Sequence, residues 1–262
     1  PNSLYGCHRG FAFSIYNLVP VLTSVLGVSA IPVLATAWQR RDKEEVKSNV
    51  QTMLRTTTLI TFPAGIGIFA LSTHILDLLY SNEEAIAVIA PNLRILGVCA
   101  LFAGLNAPLV SMLQAIGKQN VPLKNIAVGA VLKIVINFVL VGTPEINILG
   151  VPTGTTVCYA YICIANFICF VKASGVMPDL ISTLIKPLLC AVACGGAAYF
   201  TAILLSFVVG SNTVVTVVSI LAGVVVYVIM LGLLRAISRE DIISLPKGKK
   251  IEKILEIIRI IR

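Results

Sequence analysis

The sequence of 262 residues is 57% hydrophobic, 12% charged and carries a formal net charge of +8. A soluble globular chain is about one-quarter charged, so composition excludes a water-soluble domain. In lipid every backbone polar group needs an internal partner. The apolar segments run to about twenty residues without the short alternation of barrel strands. The expected fold class is therefore all-α: a polytopic membrane helix bundle.

Seven transmembrane helices are expected in chain order, at roughly 11–37, 53–76, 88–116, 125–143, 150–171, 186–209 and 213–234. The segment before them has no initiator Met and no basic leader. An odd number of spans starting from the outside predicts that a comparable set precedes them in a longer protein. After the first helix comes "QRRDKEEVKSNVQ" (39–51), read as the longest and most charged connection; the later ones are turns rich in Gly, Pro, Asn and Ser. Basic residues fall in alternate connections: Arg40, Arg41, Lys43 and Lys47, then Lys118 and Lys124, then Lys172 and Lys186, then the tail. Positive connections stay inside, so residues 1–10 are placed outside and the C-terminus in the cytoplasm.

Three basic residues break that alternation: Arg9 at the outer mouth, Arg94 near the outer end of the third helix, and Lys133 within "AVLKIVINFVL" (130–140). An ammonium deep in a membrane helix is costly unless it faces protein or water, so Lys133 reads as a cavity residue, with snorkelling toward the inner headgroups as the alternative. Asn137 lies one turn further on, and Thr155 on the next helix reaches a similar depth. Pro20, Pro63 and Pro108 fall well inside spans and are expected to bend them. Six of the seven cysteines lie inside helices, where Cys behaves as a small hydrophobe, and neither histidine has metal-ligand spacing, so no metal site is expected. The tail "KGKKIEKILEIIRIIR" (247–262) has an apolar face and a basic remainder, the pattern of an interfacial amphipathic helix attracted to anionic lipid headgroups.

Local signatures converge on a family. "LGVSAIP" ahead of the charged inner connection, "LQAIGKQNVPLKN" at the next inner turn, "KIVINFVLV" followed by "GVPTGTTVCY", and "SREDIISLP" (238–246) resemble the SpoVB/MurJ-type polysaccharide and lipid II flippases. These lie within the MOP superfamily that also holds the MATE drug exporters. The resemblance makes the helices the eighth to fourteenth of fourteen. It divides the chain into 1–171, the C-terminal lobe, 172–237, two additional helices, and 238–262, the cytoplasmic tail.

What the resemblance implies is a transporter, not an enzyme, in a bacterial plasma membrane. It would flip an undecaprenyl-diphosphate-linked sugar, most simply a lipid II-like precursor, from inner to outer leaflet by alternating access. Lys133, Arg94 and Arg9 would serve the anionic substrate, and Asn137 and Thr155 a coupling ion, sodium or proton; the last two helices would border a groove for the isoprenoid tail. No further cofactor and no nucleic acid partner is implied. An enzyme on lipid-linked sugars would need clustered carboxylates or histidines, which the spans lack. A MATE-type cation-coupled multidrug antiporter shares the architecture and is the alternative. It would call for acidic cavity residues where these helices offer basic ones.

Overall fold

The computed structural model describes residues 10, 12–80, 83–143 and 147–234. The described chain is helical, with no strand among the described residues, and the long helices are α1 (Phe13–Gln39), α2 (Lys43–Ala70), α4 (Glu83–Ala115), α5 (Asn120–Val141), α6 (Gly150–Ser174), α7 (Lys186–Ser206) and α8 (Asn212–Leu233). A short α3 (Ser72–Leu79) follows α2, and a π turn (Ile181–Ile185) leads into α7. Seven helices are long and apolar enough to cross a membrane, as expected. Arg9 and the amphipathic tail (247–262) lie outside the described residues.

The second span differs from expectation at both ends. Residues 43–52, read as connection, are helical, so only Arg40–Asp42 joins α1 to α2, with Arg41 in the left-handed region (φ 59°) to reverse the chain. The cause is local. Asp42 caps the helix, its carboxylate accepting from the Glu44 and Glu45 amides, and Glu44 and Glu45 complement the positive end of the helix dipole. Val46 and Val50, four apart, are buried while Lys43 and Glu44 face out, so this charged segment is the amphipathic start of α2 rather than a loop. At the other end α2 stops at Leu71 instead of running to 76, and α3 turns away with Ser72 and Leu76 buried.

Among neighbours without water between them, membrane helices associate by close packing and hydrogen bonds. The central helix is α4, with 56% of its apolar window buried against 6% for α5 at the edge. Gly65 of α2 and Gly97 of α4 set the crossing: a Cβ on Gly65 would lie 2.8 Å from the Gly97 carbonyl oxygen, and one on Gly97 2.7 Å from that of Gly65. Two apolar clusters fill the bundle. One gathers Leu34, Val50, Leu54, Met112 and Phe170 at the end carrying the basic connections, the other Tyr16, Leu76, Ile89, Leu93 and Leu96 at the opposite, far end. Pro20 and Pro32 in α1, Pro63 in α2 and Pro91 and Pro108 in α4 sit inside continuous helices. Hydroxyls re-use carbonyls in the turns that follow: Thr23 donates to Val19 and Pro20, and Thr36 to Pro32.

The last pair, α7 and α8, docks on α2. Thr58 donates to the Thr183 carbonyl in the π turn at 2.7 Å, and Tyr227 of α8 donates to the Leu59 carbonyl at 2.8 Å. At the far end Asn212 hydrogen-bonds Asp77 of α3.

Candidate functional site

One polar seam runs along α5. Asn125, Gly129, Lys133 and Asn137 recur every four residues, so they share one helix face, and that face meets α6. Asn125 donates to Asn166 at 2.8 Å; a Cβ on Gly129 would press on Ile162 and on Cys158 Sγ; and the Asn137 side-chain oxygen lies directly over Gly154. Lys133 falls between the last two levels and is half-buried. It is within electrostatic reach of the Cys158 thiol on α6 and the Cys99 thiol on α4. Because α5 begins at Asn120, Lys133 stands thirteen residues from one end and eight from the other, about 20 Å and 12 Å of helix. That is deeper than a start at 125 implies.

Around Lys133 the neighbouring helices contribute hydroxyls and thiols. Cys99 donates to the Tyr16 hydroxyl at 3.6 Å, with Thr156 and Tyr159 beside them. The cluster therefore joins α1, α4, α5 and α6. Nearer the basic end a second group repeats the theme: Asn166, fully buried, donates to Asn106 of α4 at 2.9 Å while accepting from Asn125. Sequence reasoning passed over Tyr16, Tyr159, Asn106, Asn125 and Asn166. The available signal was that an amide in an apolar helix needs a partner, the same signal that drew attention to Asn137.

The two residues expected to share a coupling ion, Asn137 and Thr155, are not joined by a hydrogen bond. Thr155 is buried and donates to the Val151 carbonyl of its own helix at 2.9 Å, leaving its lone pairs available, while Asn137 Oδ1 is a buried acceptor that receives no hydrogen bond. These are two neutral oxygens. No Asp or Glu lies on α5 or α6, and hard cations are held by larger sets of oxygen ligands that usually include carboxylates. The described residues alone make only part of a sodium site. Among them no cluster of three or more His, Cys, Asp or Glu side chains stands together.

Arg94 is elsewhere. Its Nε donates to Ser72 Oγ, at the start of α3, at 3.0 Å, and it borders a cavity between α2, α4 and α7. Arg94 and Cys99 are five residues apart on α4, about 140° around the helix, so Arg94 and Lys133 occupy different faces of the bundle. A separate apolar groove of about 480 Å³ runs between α1, α2, α7 and α8, past Leu22, Ile60, Ile220 and Tyr227.

At the basic end, the Asp179 carboxyl is held below its usual range, first by the hydrogen bond from Ser182, then by the Ile181 and Ser182 main-chain amides and the nearby Arg55 cation. Asp179 caps the π turn, with its Oδ1 3.0 Å from the Ile181 amide.

Comparison with known proteins places this architecture. The MatE family model matches residues 9–139. An uncharacterised membrane protein of Methanocaldococcus jannaschii is 24% identical over 152 residues, 58% of this chain and 29% of that protein. The stage V sporulation protein B of Bacillus subtilis is 22% identical over 146 residues, 56% of this chain and 27% of that protein. Among solved structures, the lipid II flippase MurJ in an inward closed conformation superposes with a TM-score of 0.61 at 20% identity, covering 88% of this chain and 47% of the flippase chain. The chain thus spans under half the length of the proteins it matches.

Proposed function

Because the chain belongs to the MatE family, within the superfamily that includes the SpoVB- and MurJ-like proteins, we propose that it forms one half of a flippase for an undecaprenyl-diphosphate-linked sugar, most simply a lipid II-like precursor. The observation that carries this reading is Lys133: a half-buried cation in mid-membrane, set among hydroxyls and thiols, on a helix pair with no acidic residue. Such a group suits an anionic headgroup and repels a cationic drug, so the MATE-type multidrug antiporter is the weaker reading. A diphosphate-sugar cannot cross hydrocarbon unaided, and the cost is met by a wet, positively lined passage for the head together with an apolar path for the tail. The groove between α1, α2, α7 and α8 is the tail path in this reading. Residues 1–171 act as a rocking lobe and 172–237 as helices that border the groove. The protein resides in a bacterial plasma membrane with its basic end, and the C-terminus, in the cytoplasm.

Asn137 and Thr155 contribute two oxygens to ion coupling, with the remaining ligands supplied from outside the described residues. Arg9, which lies outside the described residues, is assigned to the same anionic substrate on its basic character alone.

The test is complementation. The intact protein is expressed in cells depleted of their lipid II flippase, and growth is expected to return. Lys133→Ala is expected to abolish rescue at unchanged membrane abundance, and Lys133→Arg to retain part of it, since the charge persists in a different shape. Equal rescue by Lys133→Ala would remove the residue from the substrate path. Failure of the wild type together with acquired resistance to cationic drugs would favour the antiporter.

A further inference from the structure

The cavity beside Arg94, a residue that the resemblance assigns to the substrate, lies on a different face of the bundle from Lys133. It measures about 490 Å³ and is walled by α2, α4 and α7. Its levels can be read from the helix crossings. Gly97 of α4 meets Gly65 and the Phe69 amide of α2, and a Cβ on Gly195 of α7 would meet Ile66. Three residues before Gly97 is Arg94; four after Gly195 is Tyr199; both therefore stand level with the last turn of α2, near Ala70, at the far end. Leu101, Val192 and Gly65, which also line the cavity, lie toward mid-membrane.

The cavity thus has two unlike ends. Its mouth carries a guanidinium and a phenol, with Arg94 held by the 3.0 Å hydrogen bond that its Nε donates to Ser72, a fully buried residue. Below the mouth the walls are apolar, and the glycines leave a slot: nothing stands within 4 Å of where a Cβ on Gly196 would be. The slot descends about seven residues of α4, from Arg94 to Leu101, or about 10 Å. Among the described residues, Arg94 is the one charged residue lining it. A guanidinium binds phosphate in bidentate fashion through its remaining N–H groups, and an apolar slot below a cation matches an acyl chain below an anionic head.

We propose that this α2–α4–α7 slot holds one anionic phospholipid of the surrounding bilayer, in the leaflet at the far end, with its phosphate on Arg94 and an acyl chain along Gly196. The lipid wedges α7 against the lobe and is a resident of the fold, distinct from the transported cargo. The site goes beyond the flippase reading, since it uses neither Lys133 nor the groove next to α8.

The experiment places the intact protein in phosphatidylcholine nanodiscs containing a trace of diazirine-bearing phosphatidylglycerol or, separately, diazirine-bearing phosphatidylcholine. Adducts are mapped by peptide mass spectrometry after illumination. Phosphatidylglycerol is expected to label the 94–101 and 192–199 segments several-fold more than phosphatidylcholine. Arg94→Gln is expected to erase that preference. Gly196→Leu, whose Cβ would stand in open space and whose branched end reaches into the slot, is expected to abolish labelling there while adducts elsewhere persist, reporting an intact fold. Equal labelling by the two lipids, or labelling of these segments unchanged in Gly196→Leu, overturns the proposal. Displacement of the phosphatidylglycerol adducts by an equimolar polyprenyl diphosphate would also overturn it, reassigning the slot to the isoprenoid substrate.

Discussion

Lys133 shows what a single position discloses. Its sequence neighbourhood places an ammonium in mid-membrane, and the structure adds that the Cys158 thiol of α6 and the Cys99 thiol of α4 stand within its electrostatic reach. The partners were not legible because Cys99, Tyr16 and Tyr159 come from three other segments, and no local pattern ties them to position 133. The Asn106–Asn166–Asn125 chain was missed for the same reason. Asn166 makes two side-chain bonds, at 2.9 and 2.8 Å, to different helices, and such bonds in membranes are worth about 0.6 to 1.7 kcal/mol each. Asn166→Leu is expected to lower the thermal midpoint of the purified protein by an amount matching about 1 to 3 kcal/mol. Asn125→Leu should cost less, because it breaks one bond. Equal effects would mean that Asn166 does not bridge.

At the scale of helices, hydropathy located all seven spans but placed some ends poorly, and the errors have physical causes. Hydropathy sees no reason to extend α2 back through Lys43–Thr52; the Asp42 cap and the Val46–Val50 stripe do. Spacing alone makes Gly150 and Gly154 a generic small-residue pair. In the fold each glycine has a definite neighbour, Leu140 and Val141 for the first and Asn137 for the second. Gly154→Val is expected to push α5 from α6 and abolish transport, and Cys cross-linking across the seam would detect the separation. The joint before α7 offers a second test. Thr58→Val removes the 2.7 Å bond to the Thr183 carbonyl, a loss of about 1 kcal/mol, and should speed proteolysis in the 175–180 connection. The lowered pKa of Asp179 sets the pH sign. Its contribution to docking is present above its ordinary value near 3.8 and is lost as pH falls through the lowered one. Proteolysis there should be flat with pH across the neutral range in the wild type, and Asp179→Asn should raise it at every neutral pH.

For the whole molecule, the class, the helix count and the family were legible because lipid imposes composition, length and charge asymmetry on every span. The relation of helices to one another was not, since an apolar face turned to lipid and one turned to another helix read alike. Helix α5 illustrates this: Val131, Ile134 and Phe138 are exposed on the same helix whose other face carries Lys133 and Asn137. The account comes down to whether that polar seam opens to water during transport. The most direct measurement introduces Lys133→Cys or Asn137→Cys into a cysteine-free version of the intact protein and exposes vesicles to a membrane-impermeant thiol reagent. The account predicts labelling at both positions, slowed by a polyprenyl-diphosphate sugar. Positions sealed from the reagent on both sides of the membrane, in a protein that still transports, would contradict it.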